Sequence, residues 1–367
     1  MTAPAPLQSE IMRLPSTVEA INEHFHTQRL TDGLPIIPPT PEAVRRMLSY
    51  TDLAPQDVVA IIPPQKGQAT VEKIAINAVM AGCVPQYLPV VLTAVQALAD
   101  EAYNLYGILA TTHPCSNLII VNGPIARELN INAGYNALGQ GWRSNATIGR
   151  AVRLVMTNVG GALPGTLDRA TQGSPAKYSY CFAENEAQSP WEPLHVERGY
   201  AAATSTVTVV GAEGPHNIND HGSTSAASLL NTVAGTMAIL GSNNASGRGE
   251  PVVVFGPEHA ATIAAEGLTK HQVKTWLFEH ARIAAARFSP ENLTRLASGA
   301  ADQAAALPPE TLVPCAASAE AIMVVVAGGA GKHSCFIPTF GNTRAITRPL
   351  ALKDGTPVTS TDAFRQA

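Results

Sequence analysis

The sequence predicts an α/β protein in which strand, glycine-loop and helix units repeat around mixed or parallel sheets, arranged as two lobes. Three observations predict it. Short β-branched runs recur along the chain, and most stop at glycine. Ala/Leu-rich segments with helical spacing lie between them. Several of these segments begin at a Ser, Thr or Asn whose side chain can cap free helix N–H groups.

In chain order, STVEAINEHFHTQRL (16–30) is a capped helix and VVAIIPP (58–64) a strand stopped by proline. The helix ATVEKIAINAVMAG (69–82) and the strand NLIIVNG (117–123) follow, then the helix NATIGRAVRLVMTNV (145–159). A Pro/Gly-rich stretch over 160–200 has little helical periodicity and is long for a connection, which marks an active-site excursion or an inter-domain crossing. A soft boundary near residue 200 separates an N-terminal lobe (1–200) from a C-terminal lobe (201–367). The second lobe holds the strand STVTVVGA (205–212), the helix within GSTSAASLLNTVAGTMAIL (222–240) and the strand PVVVFGP (251–257). The helix KHQVKTWLFEHARIAAARF (270–288) and the strand AIMVVVAGG (321–329) complete it. Runs apolar at every position indicate sheets buried on both faces.

Composition excludes some functions. A net charge of -4 leaves no basic footprint, so nucleic acid is not an expected partner. The most apolar stretch, VMAGCVPQYLPVVLTAVQALA, is interrupted by Pro85, Gln86 and Pro89, too broken to span a bilayer. Charged residues are only 14% against 46% hydrophobic, which predicts a surface partly covered in a homo-oligomer. The start shows no secretory pattern, and the five cysteines form no CxxC pair. Reduced thiols in the cytoplasm are therefore expected.

The chemistry-bearing residues fall into clusters. VVVAGGAGKHSC (324–335) resembles a phosphate loop but has Val326 where the first glycine belongs and His333 where Ser or Thr belongs. Pro338 follows instead of a helix. What remains is a glycine turn, Gly329 and Gly331, whose N–H groups suit an anion, beside Lys332, His333 and Cys335. Positive charge there is expected to lower the Cys335 pKa and make it a nucleophile. In GAEGPHNINDHGSTSA (211–226), His216 and His221 are candidates for acid–base work, with Asp220 orienting one of them and Asn217 and Ser223 binding substrate. Arg143, before a capped helix, is the expected carboxylate grip. Glu184, flanking Asn185 with Glu186, is a further candidate acid. His259, His271 and His280 read as helix-face residues. His113 and Cys115 form a second His-x-Cys pair, so a metal site from His113, Cys115, His216, His221, His333 and Cys335 is the alternative, with a transition metal such as zinc. Otherwise no cofactor is expected.

The stretches DGLPIIPPTPEAV, TVEKIAINAVMAGCVPQYLPVV, GWRSNATIGRAVRLV, KYSYCFAENEAQSPWEPLH, GPEHAATIAAEGLTKHQVKTWLFEHAR and VVAGGAGKHS together resemble a bacterial family associated with long UGSC-motif (seleno)proteins. In those, a region like this one sits beside a small domain carrying selenocysteine–Gly–Ser–Cys. This chain has no Cys-Gly-Ser-Cys, so that domain's redox chemistry does not carry over. The resemblance implies at most a thiol or selenol redox partner and supplies no catalytic residue. The functional expectation is an enzyme of hydrolase or lyase type acting on a small anionic organic molecule. The alternatives are the metalloenzyme and a non-catalytic accessory or binding subunit for a thiol or selenol redox protein.

Overall fold

The computed structural model describes residues 6–298 and 307–366. Its strands are β1 (Val58–Ile62), β2 (Gly67–Thr70), β3 (Ser116–Asn122), β4 (Cys181–Ala183), β5 (Thr206–Ala212) and β6 (His216–Asn219). They continue as β7 (Val252–Phe255), β8 (Arg282–Ala284), β9 (Leu312–Pro314), β10 (Met323–Val326), β11 (His333–Ile337) and β12 (Ile346–Pro349). One sheet has the order β12-β5-β3-β4 and a second the order β10-β7-β11-β6; β1–β2 and β8–β9 pair separately. Both large sheets are mixed. β3 is parallel to β4 but antiparallel to β5, and β7 is parallel to β10 but antiparallel to β11. The α/β class holds. Strands on both sides of residue 200 share the first sheet.

Side-chain alternation along the strands explains the layering. In β3, Ile119 and Val121 pack with residues of the helices Val71–Ala81, Leu88–Leu98 and Arg143–Asn158. Leu118 and Ile120 point the other way, onto Val252 and Val254 of β7 and Met323 and Val325 of β10. The opposite faces of those strands, Val253, Phe255, Val324 and Val326, pack under the helices Ala226–Met237, Pro257–Ala264 and Lys270–His280. The result is four layers: helices, sheet, sheet, helices. Continuous apolar strands are required because both faces are covered, each fully buried side chain contributing roughly 1.5–3 kcal/mol.

One segment adds a helix that the sequence left unassigned, and another differs from expectation. The stretch broken by Pro85 and Pro89 contains a helix, Leu88–Leu98, because Pro85 opens a preceding 3-10 turn and Pro89 lies in the helix's first turn. The missing proline N–H is harmless there. Ten of its eleven residues are buried, so the helix is apolar all round. Among the described residues no helix is long and apolar enough to cross a membrane. The helix expected over 270–288 ends at His280, and Arg282–Ala284 becomes β8, paired with β9.

Candidate functional site

Strand direction brings several predicted residues to one end of the sandwich. Asn122 ends β3, Glu184 follows β4, Gly256 follows β7, and the glycine turn follows β10. The Asn185 N–H donates to the Val326 carbonyl at 2.7 Å, tying the two sheets at this end. β11 runs antiparallel to β7, so His333, its first residue, lies here too. β5 runs the other way: its Gly211 lies at the opposite end, and β6 carries the chain back.

The register of β6 on β11 builds the histidine site. His333 pairs with Asn219, which puts Asn217, Asn219 and His221, at spacing two, on one side of the edge. His333 donates from Nδ1 to Asn217 Oδ1 at 3.0 Å, which leaves its Nε2 as an acceptor. That nitrogen is 3.3 Å from His221 Nε2, and the rings meet edge-on. Lys332 Nζ donates to the His221 carbonyl at 3.2 Å. Both imidazoles are exposed, and His221 borders a shallow basin of about 540 Å3 lined by Asn219, Asp220, Ser223 and Thr232.

Asp220 plays a different part from the one expected. Its carboxylate accepts from the N–H groups of Gly222 and Ser223 and from the hydroxyls of Ser223 and Thr232, all within 3.2 Å. Burial alone would raise its pKa, but these bonds outweigh it and hold the carboxyl at about 2. It stays ionised and shapes the loop, with Ser223 committed to that turn rather than to substrate. The Asp220 carbonyl, by contrast, accepts from Nε2 of His259 at 3.0 Å, and the Ser334 hydroxyl donates to His259 Nδ1 at 2.7 Å. Sequence periodicity assigned His259 to a helix face, yet it is 2% exposed and burial holds its pKa down. Ser334 Oγ also accepts the Gly256 N–H at 3.1 Å. The chain Ser334–His259–Asp220 is enclosed and pins β11, the helix Pro257–Ala264 and the 220 loop together.

The glycine turn is already engaged. The Gly331 N–H donates to Glu258 Oε1 at 2.7 Å, so an internal carboxylate takes the place expected for a substrate anion. At Gly329 a Cβ would lie 1.9 Å from the Tyr135 ring, so glycine is needed for close packing.

Other predicted residues lie apart from the histidine pair. His216 pairs with Phe336, three residues along the ladder from His333, roughly 10 Å away at strand rise. Arg143 spends Nε and Nη2 on the Gly82 carbonyl at 3.0 and 2.8 Å, closing the helix Val71–Ala81 rather than gripping a ligand. His113 pairs with Glu213 at 2.6 Å, at the far end of β5. Cys115 is buried and Cys335 packs against the layer between the sheets; burial pushes each thiol up to about 12, against the lowering expected of Cys335. Among the described residues no three His, Cys, Asp or Glu side chains form a metal-binding group. Of the six proposed ligands only His221 and His333 meet.

Glu184 belongs to a second cluster, enclosed where β3 and β4 end and β5 begins. Its Oε2 accepts from Asn122 Nδ2 at 2.7 Å and from the Leu194 N–H at 2.8 Å. Burial raises its pKa, opposed by nearby Lys270 and those two hydrogen bonds. Glu186 accepts the Gly123 N–H at 2.6 Å and lies 3.9 Å from Nδ1 of His195, which is fully buried. Asn122 Oδ1, Glu184 Oε1, His195 Nδ1 and Thr206 Oγ1 are buried with no hydrogen-bond partner among the described residues. Asn122 and Thr206 are cross-strand partners, so their side chains stand opposite each other in the sheet. The signal for this cluster was Glu-Asn-Glu directly after an apolar strand; nothing local pointed to Asn122.

No protein-family model matches the chain, and no curated protein matches it.

Proposed function

We propose that the chain is an enzyme that acts on a small anionic organic molecule by histidine acid–base chemistry of hydrolase or lyase type. One observation supports it above others: His221 and His333 face each other through Nε2 at 3.3 Å beside an open basin, with His333 oriented by Asn217. In the resting pair His221 donates and His333 accepts. A substrate entering the basin replaces one imidazole as partner of the other. His333 then takes a proton at Nε2, His221 as the imidazolium gives one to the departing group, and the proton on His333 passes back to His221 to restore the pair. Lys332, the adjoining cation, attracts the substrate's negative charge.

A screen of small carboxylate and phosphate compounds for hydrolysis or elimination, run with the purified chain, tests this. Activity is expected to fall about 10²- to 10⁴-fold in His333→Ala. Asn217→Leu is expected to lower kcat with KM little changed, since it disorients the base without touching substrate. Full activity in both variants would remove the histidines from the chemistry.

The same distance favours a second reading. Two nitrogens about 3.3 Å apart match an edge of a tetrahedron with metal–nitrogen bonds of about 2.0–2.1 Å. His221 and His333 can therefore share one zinc-like ion, with Asn217 holding the ligand tautomer. Cobalt(II) titration is expected to give a visible absorption band in the wild type that His221→Ala loses. A featureless spectrum in the wild type would leave the acid–base pair alone.

A further inference from the structure

The 160–200 excursion builds a site of its own. With the start of the chain's first loop and the helix Arg143–Asn158, it walls a cavity of about 700 Å3, within the range of small-molecule sites. The cavity lies on the first-sheet side, where Thr171 bonds the Thr112 carbonyl ahead of β3, away from the end that holds His333.

Its charges do not cancel. Asp32 is held in a two-pronged ion pair by Arg150, both contacts at 2.8 Å. Asp168, 5% exposed, is shared by two cations: Lys177 Nζ at 2.7 and 2.8 Å and Arg153 Nη2 at 2.8 Å. Arg29, on the rim, donates to the Pro164 carbonyl at 3.0 Å and makes no ion pair with a carboxylate among the described residues. The wall thus carries Arg29, Arg153 and Lys177 against Asp32 and Asp168, and Asp32 is already neutralised by Arg150 from outside the wall, so positive charge is in excess. The Ser174 Oγ, also on the wall, is buried with no hydrogen-bond partner among the described residues.

From this cavity and its charge excess we infer a binding site for a small oxyanion, a carboxylate or a phosphate, gripped by Arg29 and Lys177. Guanidinium and ammonium groups give the strongest hydrogen bonds to such anions. This site is separate from the histidine pair and does not depend on its role.

Isothermal titration calorimetry with inorganic phosphate and, separately, succinate tests it, using the full chain in low-salt buffer. Saturable binding of at least one is expected, and which one binds names the anion class. Arg29→Gln and Lys177→Gln should each weaken it about ten-fold or more. Arg29 is exposed, so its variant retains the fold, which a thermal melt checks. His333→Ala should bind like the wild type. Absence of heat with both anions, equal affinity in both cavity variants, or loss of binding in His333→Ala would overturn the inference.

Discussion

Two polar clusters occupy the same end of this sandwich and differ in almost every physical respect. The histidine pair stands on an exposed edge, where His333 is bonded to Asn217 and His221 borders a shallow basin. The Asn122–Glu184–His195 cluster is enclosed between layers, with Asn122 and His195 at zero exposure. An exposed polar group is solvated whether or not its neighbour is present, so it can be changed, titrated or bound at little cost to the fold. An enclosed one is committed to its partners, because a lost hydrogen bond cannot be replaced by bulk water. Exposed and enclosed polar groups thus stand side by side at one end of the fold.

Variants can break this contrast. The largest effect is expected at Lys270, which is 1% exposed and donates to the Glu192 carbonyl and to Glu197. Lys270→Met leaves Lys274 as the remaining cation on Glu197, and should cost about 3 kcal/mol of unfolding free energy by urea titration. A loss under about 1 kcal/mol would mean that the cluster is wetter than its enclosure implies. Asn122→Ala comes next, removing donors from both Glu184 and Glu186, with an expected loss of roughly 1–3 kcal/mol. His333→Ala should change stability by no more than about 0.5 kcal/mol, as for other surface substitutions. A destabilised His333→Ala protein would move the histidine edge into the structural class.

The pH dependence sharpens the comparison because the two carboxylates carry opposite signs. Asp220 has a folded pKa of about 2 against an ordinary 3.8, so its contribution is present above 3.8 and is lost as pH falls toward 2. Thr232→Val should shrink that acid loss. Glu184 is raised above its ordinary 4.5, so its contribution is full below 4.5 and declines as pH rises through the folded value. Glu184→Gln should therefore flatten the stability profile above 4.5 while leaving the acid limb near pH 2–4 intact. Denaturant melts across pH 2–8 check both, and a shared direction for the two variants would contradict the assignment.

The smallest effect concerns the thiols. With Cys115 and Cys335 pushed up to about 12, iodoacetamide at pH 7.5 should modify them more slowly than a free cysteine, as peptide mass spectrometry would record. Fast labelling of Cys335 would restore it as a nucleophile.

The core strands were legible because burial on both faces demands apolar residues at every position, as in Leu118–Val121 and Val252–Phe255. β6 was not: His-Asn-Ile-Asn lies on a sheet edge where only Ile218 is buried, so its residues carry no strand-like apolar run. His221 and His333 were legible as candidates and as members of one expected ligand set, but their direct pairing across 112 residues, without the other four, was not. The same holds for His259, whose helical spacing matched a surface face while its ring reached Ser334 and Asp220.

By itself the sequence determined the α/β class, most buried strands, the failure of GGAGKHSC as a phosphate loop, and a short list of candidate residues. These follow from local constraints: which side chains suit a doubly covered strand, and which spacing a nucleotide loop needs. Tertiary structure alone decided which candidates meet. β11 lies between β7 and β6, bringing His333 to Asn217 and His221 and away from Arg143 and His113. Pairing order depends on which distant strands bury each other's edges and faces, and chain-local patterns carry no record of that choice.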